Sequence, residues 1–220
     1  MNTQDTSILT RWSLSSGSHA ENNRGELCAM EMVAYLAREP WSDAPACTCP
    51  VIGAFVRSWN DALPCDADRD RLLKPLLLQL IGTRSTPEIA GRRSYMALDW
   101  LIRVHTPKWL DLRPELAAHA TTLRDLDEIA DMAGAKAAGE RVRAARAAAR
   151  DAARAAAWAA ARDAAWAAAW DAAWAAAGAA ARDAAWAAAG AAAGDALTPT
   201  TEWLQISATD LLNRMIAVRP

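Results

Sequence analysis

One phenylalanine, two tyrosines and three histidines among 220 residues leave little of the chemistry from which catalytic centres are usually built. The sequence has no Gly-rich phosphate loop, no His-Glu-x-x-His pair and no nucleophile elbow. The formal net charge of −2 provides none of the basic field that nucleic-acid binding needs. Only four cysteines occur, Cys28, Cys47, Cys49 and Cys65. Cys47-x-Cys49 with Cys65 and His105 would supply four zinc ligands, but the second spaced pair of structural zinc sites is missing. Buried or loop thiols are expected instead, with no metal and no cofactor. Met1 to Ala20 is polar and lacks the apolar segment of a secretory signal. Long hydrophobic runs are absent too. The longest uncharged part of the alanine-rich region, Ala184 to Gly194, is 11 residues, where a membrane span needs about 20. These absences predict a cytoplasmic protein with neither a membrane nor a nucleic-acid partner.

Alanine is what the chain has in excess. From Ala144 to Ala196, 35 of 53 residues are alanine and the other 18 fall almost on a grid. Every fourth position from Arg146 reads Arg150, Arg154, Trp158, Arg162, Trp166, Trp170, Trp174, Gly178, Arg182, Trp186, Gly190 and Gly194. One place later stand Asp151, Asp163, Asp171, Asp183 and Asp195. Alanine loses no rotamer freedom on ordering, so the stretch reads as helix. A step of four residues overshoots a helical turn by roughly 40°, so the bulky row spirals slowly around the axis. Trp158 and Trp174 then lie about 160° apart, and no single flat partner covers every indole. Either neighbouring segments wrap one long helix, or the run folds back at Gly178, Gly190 or Gly194, where glycine costs about 1 kcal/mol relative to alanine. The Trp row is read first as scaffold. The competing reading makes Trp158, Trp166, Trp170, Trp174 and Trp186, with Arg162 and Arg182, a partner-binding face.

The remainder reads as short helices punctuated by proline. Residues 1–23 form a polar, flexible lead. Gly25 to Arg38 carries an apolar stripe at Ala29, Met32, Val33 and Leu36. Pro50 opens a second helix that Leu63-Pro64 closes, and Asp66 to Ile81 is a third, bent at Pro75 and ended by Gly82. Ser85-Thr86-Pro87-Glu88 starts a fourth that runs to about His105 and is interrupted by Pro107. Pro114 opens a further helical region with weak points at Gly134 and Gly139. Thr198-Pro199 starts a last helix bearing Trp203, Leu211, Leu212 and Met215. No segment alternates with period two. The expected fold is all-α: a bundle of short helices in residues 24–139, an Ala/Trp-rich helix or helical hairpin over 140–196, packed on the bundle or extending from it, and a C-terminal helix over 197–220.

Candidate polar chemistry is sparse. Asp99 and Arg103 are spaced to pair along a helix, and His105 sits near the carbonyls of that helix's end. Glu31 lies off the apolar stripe and is read most simply as solvated. Arg92-Arg93 is too short for phosphate recognition. Glu31, Asp99, Arg103 and His105 are the residues from which a buried polar site could be built, but no nucleophile, base and oxyanion donor assemble, so no catalytic residue is expected.

The segments Glu26-Leu-Cys-Ala-Met-Glu-Met-Val-Ala-Tyr-Leu-Ala-Arg-Glu-Pro-Trp-Ser-Asp43, Cys47-Thr-Cys-Pro-Val51, Ser58-Trp-Asn-Asp61, Leu76 to Arg84 and Asp99-Trp-Leu-Ile-Arg-Val-His-Thr-Pro107 resemble the immunity-five-like family of bacterial immunity proteins, of the actinomycete type with an alanine-rich C-terminal region. The resemblance covers about Glu21 to Leu112. It implies a cytoplasmic, non-enzymatic protein that binds and blocks a partner toxin or effector, and it carries no catalytic residues. The residues themselves leave open a structural protein that self-associates through the Ala/Trp-rich helix, and an enzyme centred on Glu31, Asp99, Arg103 and His105.

Overall fold

A computed structural model describes residues 8–21, 25–171 and 178–219; over 156–171 and 178–193 it describes the backbone course alone. The elements are α1 (Ile8–Arg11), β1 (Ser13–Leu14), β2 (Glu26–Leu27), α2 (Ala29–Ala37), α3 (Pro50–Ala62), α4 (Asp66–Leu73), α5 (Leu77–Leu80), α6 (Pro87–Trp100), α7 (Thr106–Leu110), α8 (Ala117–Arg124), α9 (Met132–Asp171) and α10 (Gly178–Ala217). The fold is all-α, as the helical periodicities predict. The exception is one parallel bridge, in which Ser13 faces Glu26 and Leu14 faces Leu27.

Two compact units form: Met1–Leu98 with Ser207–Pro220, and Asp99–Ile206. In the first, α2 lies against α3 and α5, and α4 against β1. Its core holds Leu14, Leu27, Met30, Met32, Val33, Ile52, Leu77 and Leu80, joined by Leu211, Leu212 and Met215 of α10, all without exposed surface. The end of α10 thus completes the first core. In the second unit, Leu110, Leu116, Ala120, Leu123 and Ala145 form the core cluster, with Ile102, Leu126 and Val142 packed on it. Ala120 and Ala145 are small enough for α8 and α9 to approach closely.

Three of the prolines meet three different local solutions. Pro50 sits in the first turn of α3, where its missing N–H costs nothing. Pro75 turns the chain into a 3-10 segment, Lys74–Leu76, between α4 and α5. Pro107 does not interrupt the helix as expected. The backbone widens into a π turn over Leu101–His105, and Pro107 enters the first turn of α7. The Leu101 carbonyl accepts the Thr106 N–H across the π turn and also the Thr106 hydroxyl at 2.7 Å.

Three further expectations are corrected. The lead is not flexible over residues 8–21: Ile8 and Leu14 are buried, and Leu14 N–H donates to Asp70 Oδ1 at 2.8 Å. Burial of two aliphatic side chains outweighs the polar composition around them. The alanine-rich run does not break at Gly190 or Gly194, and Gly178 is the first residue of α10. Nor does a new helix start at Thr198, since Pro199 lies inside α10. Thr198 and Thr201, on either side of the proline, donate their hydroxyls back to the carbonyls of Gly194 and Leu197, both at 3.1 Å. Gly134 and Gly139 lie within α9, whose alanine content offsets their propensity cost.

If the lead is part of the core, Leu14→Ala lowers the free energy of urea unfolding by about 2–5 kcal/mol. A change within about 0.5 kcal/mol, the size of a surface substitution, would return residues 8–21 to the status of a loose tail.

Candidate functional site

The π turn sets up an aromatic cluster in the second unit. It brings Trp100 and His105, five residues apart, together with ring centroids 5.1 Å apart, and the next helical turn sets Trp109 at 6.3 Å from His105. Trp109 Nε1–H donates to His105 Nε2 at 3.2 Å. Lys108 places its ammonium 5.0 Å from the ring of Trp203, a cation–π contact. Trp109, Trp203, Leu101, Leu112 and Ile206 are all exposed, Ile206 at 71%. Trp203 and Ile206 stand one turn apart on α10. Exposed indoles braced by ring contacts are the side chains that carry most binding energy at protein interfaces.

Asp99 and Arg103 pair as their spacing predicts. Arg103 Nη1 donates to Asp99 Oδ1 at 3.1 Å, and the Ile129 N–H donates to the same oxygen at 2.9 Å. Asp99 thereby fixes the loop before α9, while Arg103 Nε is buried without a partner. The pair is a brace, and His105 beside it faces rings rather than a carboxylate. Burial holds the His105 imidazole below its ordinary value of 6.5. The same neutral form is the only one whose Nε2 accepts the Trp109 hydrogen bond.

Glu31 belongs to the first unit and is not solvated. It is 1% exposed, at the third position of α2. Its carboxylate accepts the N–H of Cys28 at 2.7 Å, the N–H of His19 at 2.6 Å and His19 Nδ1 at 3.0 Å. Cys28-x-x-Glu31 is thus a capping box with cysteine in the place of serine or threonine. Trp41 Nε1–H donates to the His19 carbonyl at 2.7 Å, so the histidine is held from both ends. Beside this pair opens a cleft of about 450 Å³ lined by Ser18, Asp43, Arg57, Ser58 and Asp61. Partial burial raises Asp61, but the Gly17 N–H, the Asn60 amide and the charges of Arg69 and His19 outweigh it and hold the carboxyl below its usual range. Glu31 belongs to the first unit, and Asp99, Arg103 and His105 belong to the second.

The cysteines differ in setting. Burial pushes Cys28 up to about 12. Burial also acts to raise Cys49, but the N–H of Ile52, the Arg93 guanidinium and the N–H of Val51 together bring it below its ordinary value. Cys65 is exposed and lies 3.4 Å from Asp68. Among the described residues, no group of three or more His, Cys, Asp and Glu side chains is placed to hold a metal ion. No helix among them is long and apolar enough to cross a membrane.

The side chains of Trp158, Trp166, Trp170, Trp186, Arg162 and Arg182, and all of Trp174, lie outside the described residues. The residue that the sequence hid most completely is Arg93. It is 2% exposed, and its three nitrogens donate to carbonyls: Nε to Met215 at 2.8 Å, Nη1 to Thr83 at 2.6 Å and Nη2 to Val218 at 2.8 Å. Its position on α6, one residue after the exposed Arg92, was the one available signal. Compared with protein-family models, with curated proteins and with solved structures, the chain matches none.

The lowered His105 value fixes a direction for the pH response. Its stabilising contribution is present above about pH 6.5 and is lost as the pH falls through the lower folded-state value. Proton NMR titration should place the His105 midpoint below 6.5, and His105→Gln should flatten the acid limb of thermal stability. A midpoint at or above that value overturns the ring packing described.

Proposed function

We propose that this chain is a non-enzymatic binding protein of the immunity type, neutralising a partner toxin by stoichiometric contact. One observation carries the reading: the exposed cluster of Trp109, Lys108 and Trp203, with Leu101 and Ile206 close by in the chain, on the second unit. Large apolar side chains left in water around braced indoles are costly for a free chain and favourable at an interface. Lysine beside tryptophan adds a directed contact for an acidic or aromatic group on the partner. The resemblance of Glu26–Asp43, Cys47–Val51 and Asp99–Pro107 to immunity proteins supports the same reading.

The test is to read the neighbouring genes and co-express this chain with any toxin they encode. Relief of growth arrest and a one-to-one complex on size-exclusion chromatography are expected. Trp109→Ala and Trp203→Ala should each weaken the complex at least about tenfold, as hot-spot truncations do. An arrest that this chain leaves unrelieved sinks the proposal. So does a complex that tolerates both substitutions together. Concentration-dependent light scattering separates this reading from self-association, because a chain that stays monomeric alone removes the assembly alternative.

A further inference from the structure

In the first unit, the turn between α5 and α6 and the end of α10 enclose a pocket of about 120 Å³. Its lining includes Arg84, Arg93 and Arg219, the Ser85 side chain and no acidic residue. Among the described residues, none of the three guanidiniums is paired with a carboxylate. Arg93 is the fixed floor. Backbone carbonyls take three of its five N–H groups, which satisfies those donors but supplies no full negative charge. The Cys49 side chain also lies against this guanidinium, but no carboxylate among the described residues offsets it, and a buried cation without a full counter-charge is expensive. Ser85 Oγ, at the same pocket, is buried with no hydrogen-bond partner among the described residues. Arg84 and Arg219 are exposed and free to swing over the mouth.

We propose that this pocket binds a phosphate-type oxyanion: Arg93 contacts it from below, Arg84 and Arg219 close on it, and the Ser85 hydroxyl donates to it. Planar guanidiniums with paired N–H groups suit the tetrahedral oxygens of such an ion. The volume admits one phosphate-sized group and no nucleoside. The carbonyl end of α10 opposes an anion with about half a charge, but Met215 and Val218 already accept from Arg93, and three full positive charges exceed it. The site is independent of the toxin-binding face and stands or falls apart from it.

The experiment is calorimetric titration of the whole chain with inorganic phosphate, ionic strength held constant with chloride. Saturable binding at one site is expected, weakened roughly tenfold by Arg84→Gln and again by Arg219→Gln, the size of a charge-assisted hydrogen bond. Arg92→Gln, next to Arg93 in sequence but outside the pocket, should bind as the native chain does. All three positions are exposed, and unchanged melting in chloride verifies that each variant folds. Phenyl phosphate competing for the site identifies an esterified phosphate as the ligand, and inorganic phosphate binding without that competition identifies the free ion; both uphold the site. A response no greater than that to chloride, or Arg84→Gln and Arg219→Gln variants that bind as tightly as the native chain, overturns it.

Discussion

The first unit depends on a single buried guanidinium. Residues 207–219 end a helix whose last carbonyls have no intrahelical donors. Arg93, on α6, donates to the carbonyl of Met215 in the last turn of α10 and to that of Val218 just beyond it, and ties both to the Thr83 carbonyl of the turn before α6. One side chain therefore joins three segments while Leu211, Leu212 and Met215 seal the apolar interior around it. Arginine suits the position because its planar fork offers several donors at fixed angles. Lysine would present a single point charge on a flexible stem.

Much of the helical content was legible in advance, because it rests on local rules. The apolar stripe of α2, the opening of α3 at Pro50 and the alanine-driven helix of α9 follow from periodicity, fixed φ and rotamer entropy. What escaped reading depended on partners far along the chain. Glu31 stands off the stripe, and only His19, folded back from a segment that composition marks as loose, reveals that it is buried. Arg93 looks like half of a basic surface pair until α10 arrives, 122 residues later, to cover it. The Asp99–Arg103 pair was visible because its spacing is four, whereas its contact with Ile129 spans 30 residues and was not.

Proline shows the same limit from the other side. A rule that ends helices at proline works at Leu63-Pro64 and fails at Pro107 and Pro199. In both failures a nearby threonine hydroxyl donates to a carbonyl of the preceding turn. The defect at Pro107 is also productive, since the π turn sets Trp100 at a tilt against His105, whose ring meets Trp109 edge-on. A regular helix would have turned Trp100 and His105, five residues apart, away from each other.

The placement of residues 207–219 within the first core bears on how the protein is made. Helices α2 to α5 leave the ribosome with their apolar faces lacking Leu211, Leu212 and Met215, and more than a hundred further residues must be translated before these are added. During that interval the nascent chain shows open hydrophobic surface, the condition that recruits chaperones and favours off-pathway association. Slow elongation through the long alanine tract would extend the exposure, so synthesis speed becomes a determinant of yield.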